Sequence, residues 1–248
     1  MKFLAFLLIF SSIFSDEKIS TTYKDIHAVD LLLFPSKKSQ GNDSKYPLLS
    51  FNETSDEELS EFSLRAYNSL SELGWSCFFV SDIAKVANNC SSIKPPKVFH
   101  IDSIDMQKTQ GLHVVLKHLK KRPSKTKVSF NLLGVNINPK NRSAVLAFLK
   151  EYADVVFCDN NISRQLTGLS PKLSCQYFSN IFSIKTIIFE NNGFWAASDK
   201  LSSSFHPFSS KVDFDKSSLF ICGVLHGILK DELFTKCLDM GAFFIKAY

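Results

Sequence analysis

Residues 127–158 read KVSFNLLGVNINPKNRSAVLAFLKEYADVVFC. Lys127 to Leu133 is a strand, a loop follows, Asn141 to Tyr152 is a helix, and Asp154 to Cys158 is a second strand, apolar throughout. Working outward, the same alternation continues on both sides. Upstream, Val98 to Ile101 is a strand and Asp105 to Arg122 a helix ended by Pro123. Further back, Asp56 to Leu73 suits an amphipathic helix stopped by Gly74, and Cys77 to Val80 a short buried strand. Downstream come a helix over Pro171 to Phe182 and a strand over Lys185 to Glu190. Two shorter, hairpin-like strands follow over Gly193 to Ser198 and Ser203 to Phe208, then helices over Ser217 to Leu229 and Asp231 to Lys246. Strands that are apolar along their whole length, separated by helices, indicate a mainly parallel sheet covered on both faces. The expected fold class is α/β, a three-layer α/β/α sandwich.

The chain has 248 residues, enough for one large domain with a sizeable core. Phenylalanine is abundant at 24 and glycine scarce at 9. Scarce glycine argues against several phosphate-cradling loops, which need backbone to approach a ligand without a Cβ. Met1 and Lys2 begin a short positive region, and Phe3 to Phe14 is apolar but shorter than the roughly 20 residues of a bilayer span. The expected organisation is a signal peptide over 1–15, an irregular segment over 16–55 that is polar and low in pattern, and an α/β domain over 56–248. No later segment reaches transmembrane length, so a secreted protein is expected, with no membrane span.

Secretion permits disulfides and glycans. Six cysteines (Cys77, Cys90, Cys158, Cys175, Cys222 and Cys237) are widely spaced without a CxxC pair. Cys158 and Cys222 sit in strongly apolar contexts, where a buried free thiol is the more common state. Sequons begin at Asn42, Asn52, Asn89, Asn141 and Asn161 and are candidate glycosylation sites. The histidines show no metal-ligand spacing, and no metal is expected.

The net charge of +5 is unevenly spread. From Met106 to Lys150 there are ten Lys and Arg and no Asp or Glu. Leu119 to Thr126 (LKKRPSKT) fits the X-B-B-B-X-X-B-X pattern, B being basic, that is associated with heparin binding. Cations at a helix end and in the next turn offer a line of charge to sulfated sugars, though a solvated helix terminus favoured by the macrodipole has the same composition. The candidate polyanion-binding residues are Lys117, Lys120, Lys121, Arg122, Lys125 and Lys127. Sulfated glycans and other extracellular polyanions are the expected partners, together with other surface or wall proteins. No motif for reading nucleic acid is present.

The order of elements from about residue 61 to 248 resembles the PfkB group of carbohydrate and nucleoside kinases, especially its adenosine kinase and ribokinase branch. The stretch from Val128 to Asn160 is similar to that family's strand ending in Asn-Leu, its helix, and its D-[IV]-[LV]-F strand leading to Asn-x-x-Glu. Val212 to Gly227 lies where the family has D-T-x-G-A-G-D-x-F-x-x-G. Asn68 matches a substrate-side segment more weakly. The resemblance implies a ribokinase-like fold using ATP and magnesium, with a Gly-Ala-Gly-Asp turn that holds the phosphate and supplies the general base.

This chain departs from the pattern where the chemistry lies. Lys216, Ser217, Ser218 and Leu219 take the four places of Gly-Ala-Gly-Asp, and leucine accepts no proton. The Asn-x-x-Glu motif falls on Asp159 to Ile162, so its carboxylate is gone. The family's di-glycine falls near Ser63 and Leu64. Only about twenty residues separate Cys77 from Val98, so the lid is expected to be reduced or missing. Losing both base and positioning costs many orders of magnitude in rate. The expected function is therefore a secreted pseudoenzyme with no catalytic residues and no cofactor, acting as a binding or structural component of a surface or wall, such as a spore wall. The alternative is an ATP-dependent adenosine or sugar kinase using Asp213 or Asp215 as a displaced base. An intracellular regulatory pseudokinase, with its N-terminus uncleaved, is a third reading.

Overall fold

A computed structural model describes residues 31–34, 69–70, 72–75, 77–79, 96–102, 119–120, 124–135, 137, 139–198, 203–208 and 214–247. Its strands are β1 (Leu31–Phe34), β2 (Cys77–Phe79), β3 (Val98–Asp102), β4 (Lys127–Asn131), β5 (Val155–Asp159), β6 (Lys185–Glu190), β7 (Gly193–Ala197) and β8 (Ser204–Pro207). They form one sheet in the order β2-β1-β3-β4-β5-β6-β7-β8. Every pairing from β2 through β6 is parallel, and β6, β7 and β8 pair antiparallel. The helices described in full are α1 (Arg142–Tyr152), α2 (Asn160–Thr167), α3 (Pro171–Phe182), α4 (Phe214–Leu229) and α5 (Phe234–Ala247).

The three layers follow from the period of two along each strand. Val156 and Cys158 of β5 and Ile188 of β6 join a core with Val145, Phe148 and Leu149 of α1, Ile162 of α2 and Phe178 of α3. The alternate residues Val155, Phe157, Ile187 and Phe189 join a second core with Phe220, Val224 and Leu225 of α4 and Leu238 of α5. Both sets are buried, which explains why the strand interiors, Val155 to Cys158 and Ile187 to Phe189, are apolar at consecutive positions.

Two elements were not expected from the sequence at all. The stretch 16–55 was expected to be irregular, yet Leu31–Phe34 is a strand seated between β2 and β3. Its four apolar residues lie between polar neighbours, and only long-range pairing fixes them as a strand. The segment after β5 carries helix α2, which the polar string NNISRQLT does not announce. The Asp159 side chain accepts from the Ile162 amide at 2.8 Å and caps its start, and Gly168 ends it at φ 77°. The helix expected to end at Gly74 is described only near its end. Ser69, Leu70 and Glu72 are helical, and Gly74 has φ 87°.

The scarce glycines are used in packing. A Cβ on Gly223 of α4 would lie 2.5 Å from the Met240 carbonyl oxygen of α5, and one on Gly227 would lie 2.8 Å from the Cys237 Sγ. Gly223→Ala is expected to destabilise the fold by about 1–3 kcal/mol through overpacking, although alanine is intrinsically the better helix former. Chemical denaturation measures this, and an unchanged or raised midpoint would contradict the close helix approach.

Candidate functional site

In an open parallel α/β sheet, ligands bind beyond the carboxyl ends of the strands. Here that edge is polar. β3, β4, β5 and β6 end in Asp102, Asn131, Asp159 and Glu190. Asp102 and Asn131 are register partners. Asn131 is buried, and its Oδ1 accepts from the Leu133 amide at 3.1 Å, which turns the chain away from β4. Glu190 accepts from Trp195 Nε1 at 3.1 Å, tying the end of β6 to the hairpin strand β7.

Asp159 is the residue at this edge whose role the sequence reading missed. Burial pushes its carboxyl pKa up, opposed in part by the amides of Ile162 and Asn161. The signal was present in the sequence, since an Asp directly after an apolar strand is a favoured N-cap. The carboxylate occupies the start of α2 from within the chain, where an external anion would otherwise be favoured. Ile162, at the place of the family's Glu, is a core residue packed with α1 and α3.

The four positions Lys216, Ser217, Ser218 and Leu219 lie inside α4, which begins at Phe214. The helix expected from Ser217 thus starts three residues earlier. An Asp at 213 and another at 215 favour the earlier start, since acidic residues suit a helix N-terminus. Amides free of intrahelical partners belong to the cap and first three helical residues. From Ser217 onward the amides therefore enter the helical ladder. Ser217 and Ser218 are buried. Leu219 packs against the second core, as does Leu133 beyond the end of β4. The fallback base Asp213 lies outside the described residues, and of Asp215 only the helical backbone is described.

The other candidates are scattered. Lys120, Lys125 and Lys127 are exposed, the last two at the amino end of β4 and away from the polar edge above, while Lys117, Lys121 and Arg122 lie outside the described residues. The Lys127 ammonium is 4.0 Å from Asp154. Of the sequons, Asn141 precedes α1 and Asn161 is exposed in the first turn of α2. Asn42, Asn52 and Asn89 lie outside the described residues, as do Asn68, Ser63, Leu64, residues 1–15 and most of the expected lid region. Cys158, Cys175, Cys222 and Cys237 are buried free thiols, in line with the expectation for Cys158 and Cys222. Burial raises the thiol pKa of Cys158 and Cys175, so neither is a reactive thiolate. Among the described residues no three His, Cys, Asp or Glu side chains are grouped to hold a metal, and no helix is long and apolar enough to cross a membrane.

No protein-family model matches the chain, and no curated protein sequence matches it. Solved structures do match by shape. A PfkB protein from Polaromonas sp. JS666 is similar at a TM-score of 0.59 and 13% identity, covering 88% of this chain and 94% of that one. A pyridoxal kinase of Bacillus subtilis, solved as an ADP complex, is similar at 0.62 and 11% identity, covering 90% and 91%. A phosphomethylpyrimidine kinase from Clostridium difficile 630 is similar at 0.63 and 10% identity, covering 89% and 100%. The fold is therefore ribokinase-like, as the sequence resemblance implied.

Proposed function

We propose that this ribokinase-like protein binds without transferring phosphate. It acts as a secreted surface or wall component that engages sulfated glycans or similar polyanions. The observation that carries the first part is the run of α4 through Lys216, Ser217, Ser218 and Leu219. A helix whose ladder already uses the amides of Ser217 to Leu219 presents no loop of free amides there. Leu219 offers no proton acceptor at the base position. Ile162 supports the same reading, because a side chain committed to the core cannot help position a metal–phosphate group. In this reading the residues present do not fit a magnesium nucleotide held in the family's manner.

The polyanion part is supported by the exposure of Lys120, Lys125 and Lys127, with Lys117, Lys121 and Arg122 supplied by the sequence motif. Secretion rests on the sequence of residues 1–15 alone. One observation favours the second reading, an active kinase of sugars or nucleosides. Asp159 keeps a half-buried carboxyl with a raised pKa at the substrate edge of the sheet, which is a common signature of functional groups.

A phosphoryl-transfer assay separates the two. With ATP and magnesium over a panel of sugars, nucleosides and pyridoxal, transfer by the full chain is expected to stay at background. Magnesium-dependent turnover lost in Asp213→Asn or Asp215→Asn would overturn the non-catalytic reading. Retention on heparin is expected to fall in salt when Lys120, Lys121, Arg122 and Lys125 are changed together to Ala. Equal retention would remove the polyanion assignment. Mass spectrometry of the mature N-terminus tests secretion, and an intact Met1 would count against it.

A further inference from the structure

At the opposite edge of the sheet, where β4, β5 and β6 begin, lies a cavity of about 380 Å³ between the strands and the α4–α5 turn. Its lining carries charge of both signs, and most of that charge is already compensated. Lys127 pairs with Asp154 at 4.0 Å, and Asp154 Oδ2 also accepts from the Val128 amide at 2.8 Å. Glu232 pairs with Lys236 at 3.5 Å. Two lining charges are not absorbed in this way. The Lys185 ammonium stands 5.8 Å from the centroid of the Phe234 ring and joins no carboxylate among the described residues. Asp231 joins no cation among them. The two line the same cavity without forming an ion pair with each other.

We propose that this cavity is a binding site for a small zwitterion, an amino acid or short peptide with free termini. Its carboxylate meets Lys185, its ammonium meets Asp231, and an apolar body lies against Phe234, Val155 and Ile228. The arrangement answers with one ligand the two charges that find no ion-pair partner among the described residues, and the volume holds a molecule of that size. A plain anion or a sulfated polymer would meet Asp231, Asp154 and Glu232 unfavourably. A metal ion would find Lys185 and Lys127 in the lining. The site is distinct from the carboxyl-end crevice and does not rest on the proposed function, although Lys127 borders both the cavity and the basic stretch.

The geometry also sets the variants. Asp231 has φ 57°, a left-handed conformation that asparagine tolerates well, so Asp231→Asn removes the charge and keeps the turn. Lys185→Met keeps an unbranched side chain against Phe234. The test is calorimetric titration of the full-length chain with L-leucine and glycyl-leucine, alongside N-acetyl-leucine, which lacks the ammonium, and leucine amide, which lacks the carboxylate. Saturable one-to-one binding of leucine or the dipeptide is expected, with each singly charged analogue weaker by about tenfold or more, one missing charge contact being of the order of 1.4 kcal/mol. The tighter of leucine and glycyl-leucine identifies a free amino acid or a peptide as the ligand class. In Lys185→Met, leucine and leucine amide are expected to bind alike, and in Asp231→Asn, leucine and N-acetyl-leucine. No saturable heat at millimolar concentration overturns the proposal. So does N-acetyl-leucine binding as tightly as leucine, which would mark a simple anion site.

Discussion

Below pH 6.5 the protein is expected to lose stability at roughly 1.4 kcal/mol per pH unit through a single side chain, His100. His100 lies in β3 with no exposed surface, its Nδ1 3.1 Å from the Ser129 hydroxyl of β4, its register partner. Burial lowers its pKa to about 3 from an ordinary 6.5. The folded protein therefore keeps the ring neutral while the unfolded chain takes up a proton below pH 6.5. Its contribution is fully present above pH 6.5 and disappears as pH falls towards 3. His226, whose pKa is also lowered by burial, acts with the same sign, while the raised pKa of Asp159 acts against it. The measurement is the denaturant midpoint between pH 7 and 4 for the native chain and for His100→Leu. The variant is expected to be less stable at pH 7, because the Ser129 hydroxyl loses a partner, yet flatter with pH. Parallel curves would show that His100 does not control acid sensitivity.

The second large effect belongs to Phe220. Its ring is fully buried in α4 and meets Phe194 at 4.5 Å, Phe189 at 5.6 Å and Phe208 at 5.8 Å between centroids. Across the helix pair it lies so close to Gly241 that a Cβ there would be 2.8 Å from the ring. Phe220→Ala removes the hub of this cluster, and helices already in backbone contact cannot move together to fill the hole. The expected cost is about 3–5 kcal/mol, a large part of the stability typical of a single domain. Phe220→Leu is expected to cost less, since it keeps most of the volume. Equilibrium unfolding measures both, and a loss below about 1 kcal/mol for the alanine variant would mean that the cluster is not cohesive.

The parts of the fold that the sequence made legible carry their own period. β4, α1, β5, α3 and β6 were readable because each strand carries a short run rich in β-branched and aromatic residues and each helix is amphipathic over several turns. Leu31–Phe34 was not readable, since four leucine and phenylalanine residues say nothing about partners lying more than forty residues away. Helix α2 was hidden because two asparagines open it, and a side chain just outside it, Asp159, holds it. Low glycine content pointed away from phosphate loops, and three of the remaining glycines, Gly223, Gly227 and Gly241, serve helix contact instead. The candidate site was legible mainly through the family resemblance. Nothing in the local sequence says that Ile162 turns into the core, which depends on packing against distant elements, whereas the start of α4 at Phe214 is signalled by the acidic residues at 213 and 215.

The position of β1 has a consequence for the newly made chain. This strand is synthesised before every other one described here, yet it belongs in the interior of the sheet, flanked by β2 and β3. One edge can pair with β2, but the other stays unsatisfied until the ribosome has moved on past Asp102. This strand must therefore wait for its place, and for that interval the chain exposes a sticky, unpaired edge that a chaperone is suited to shield.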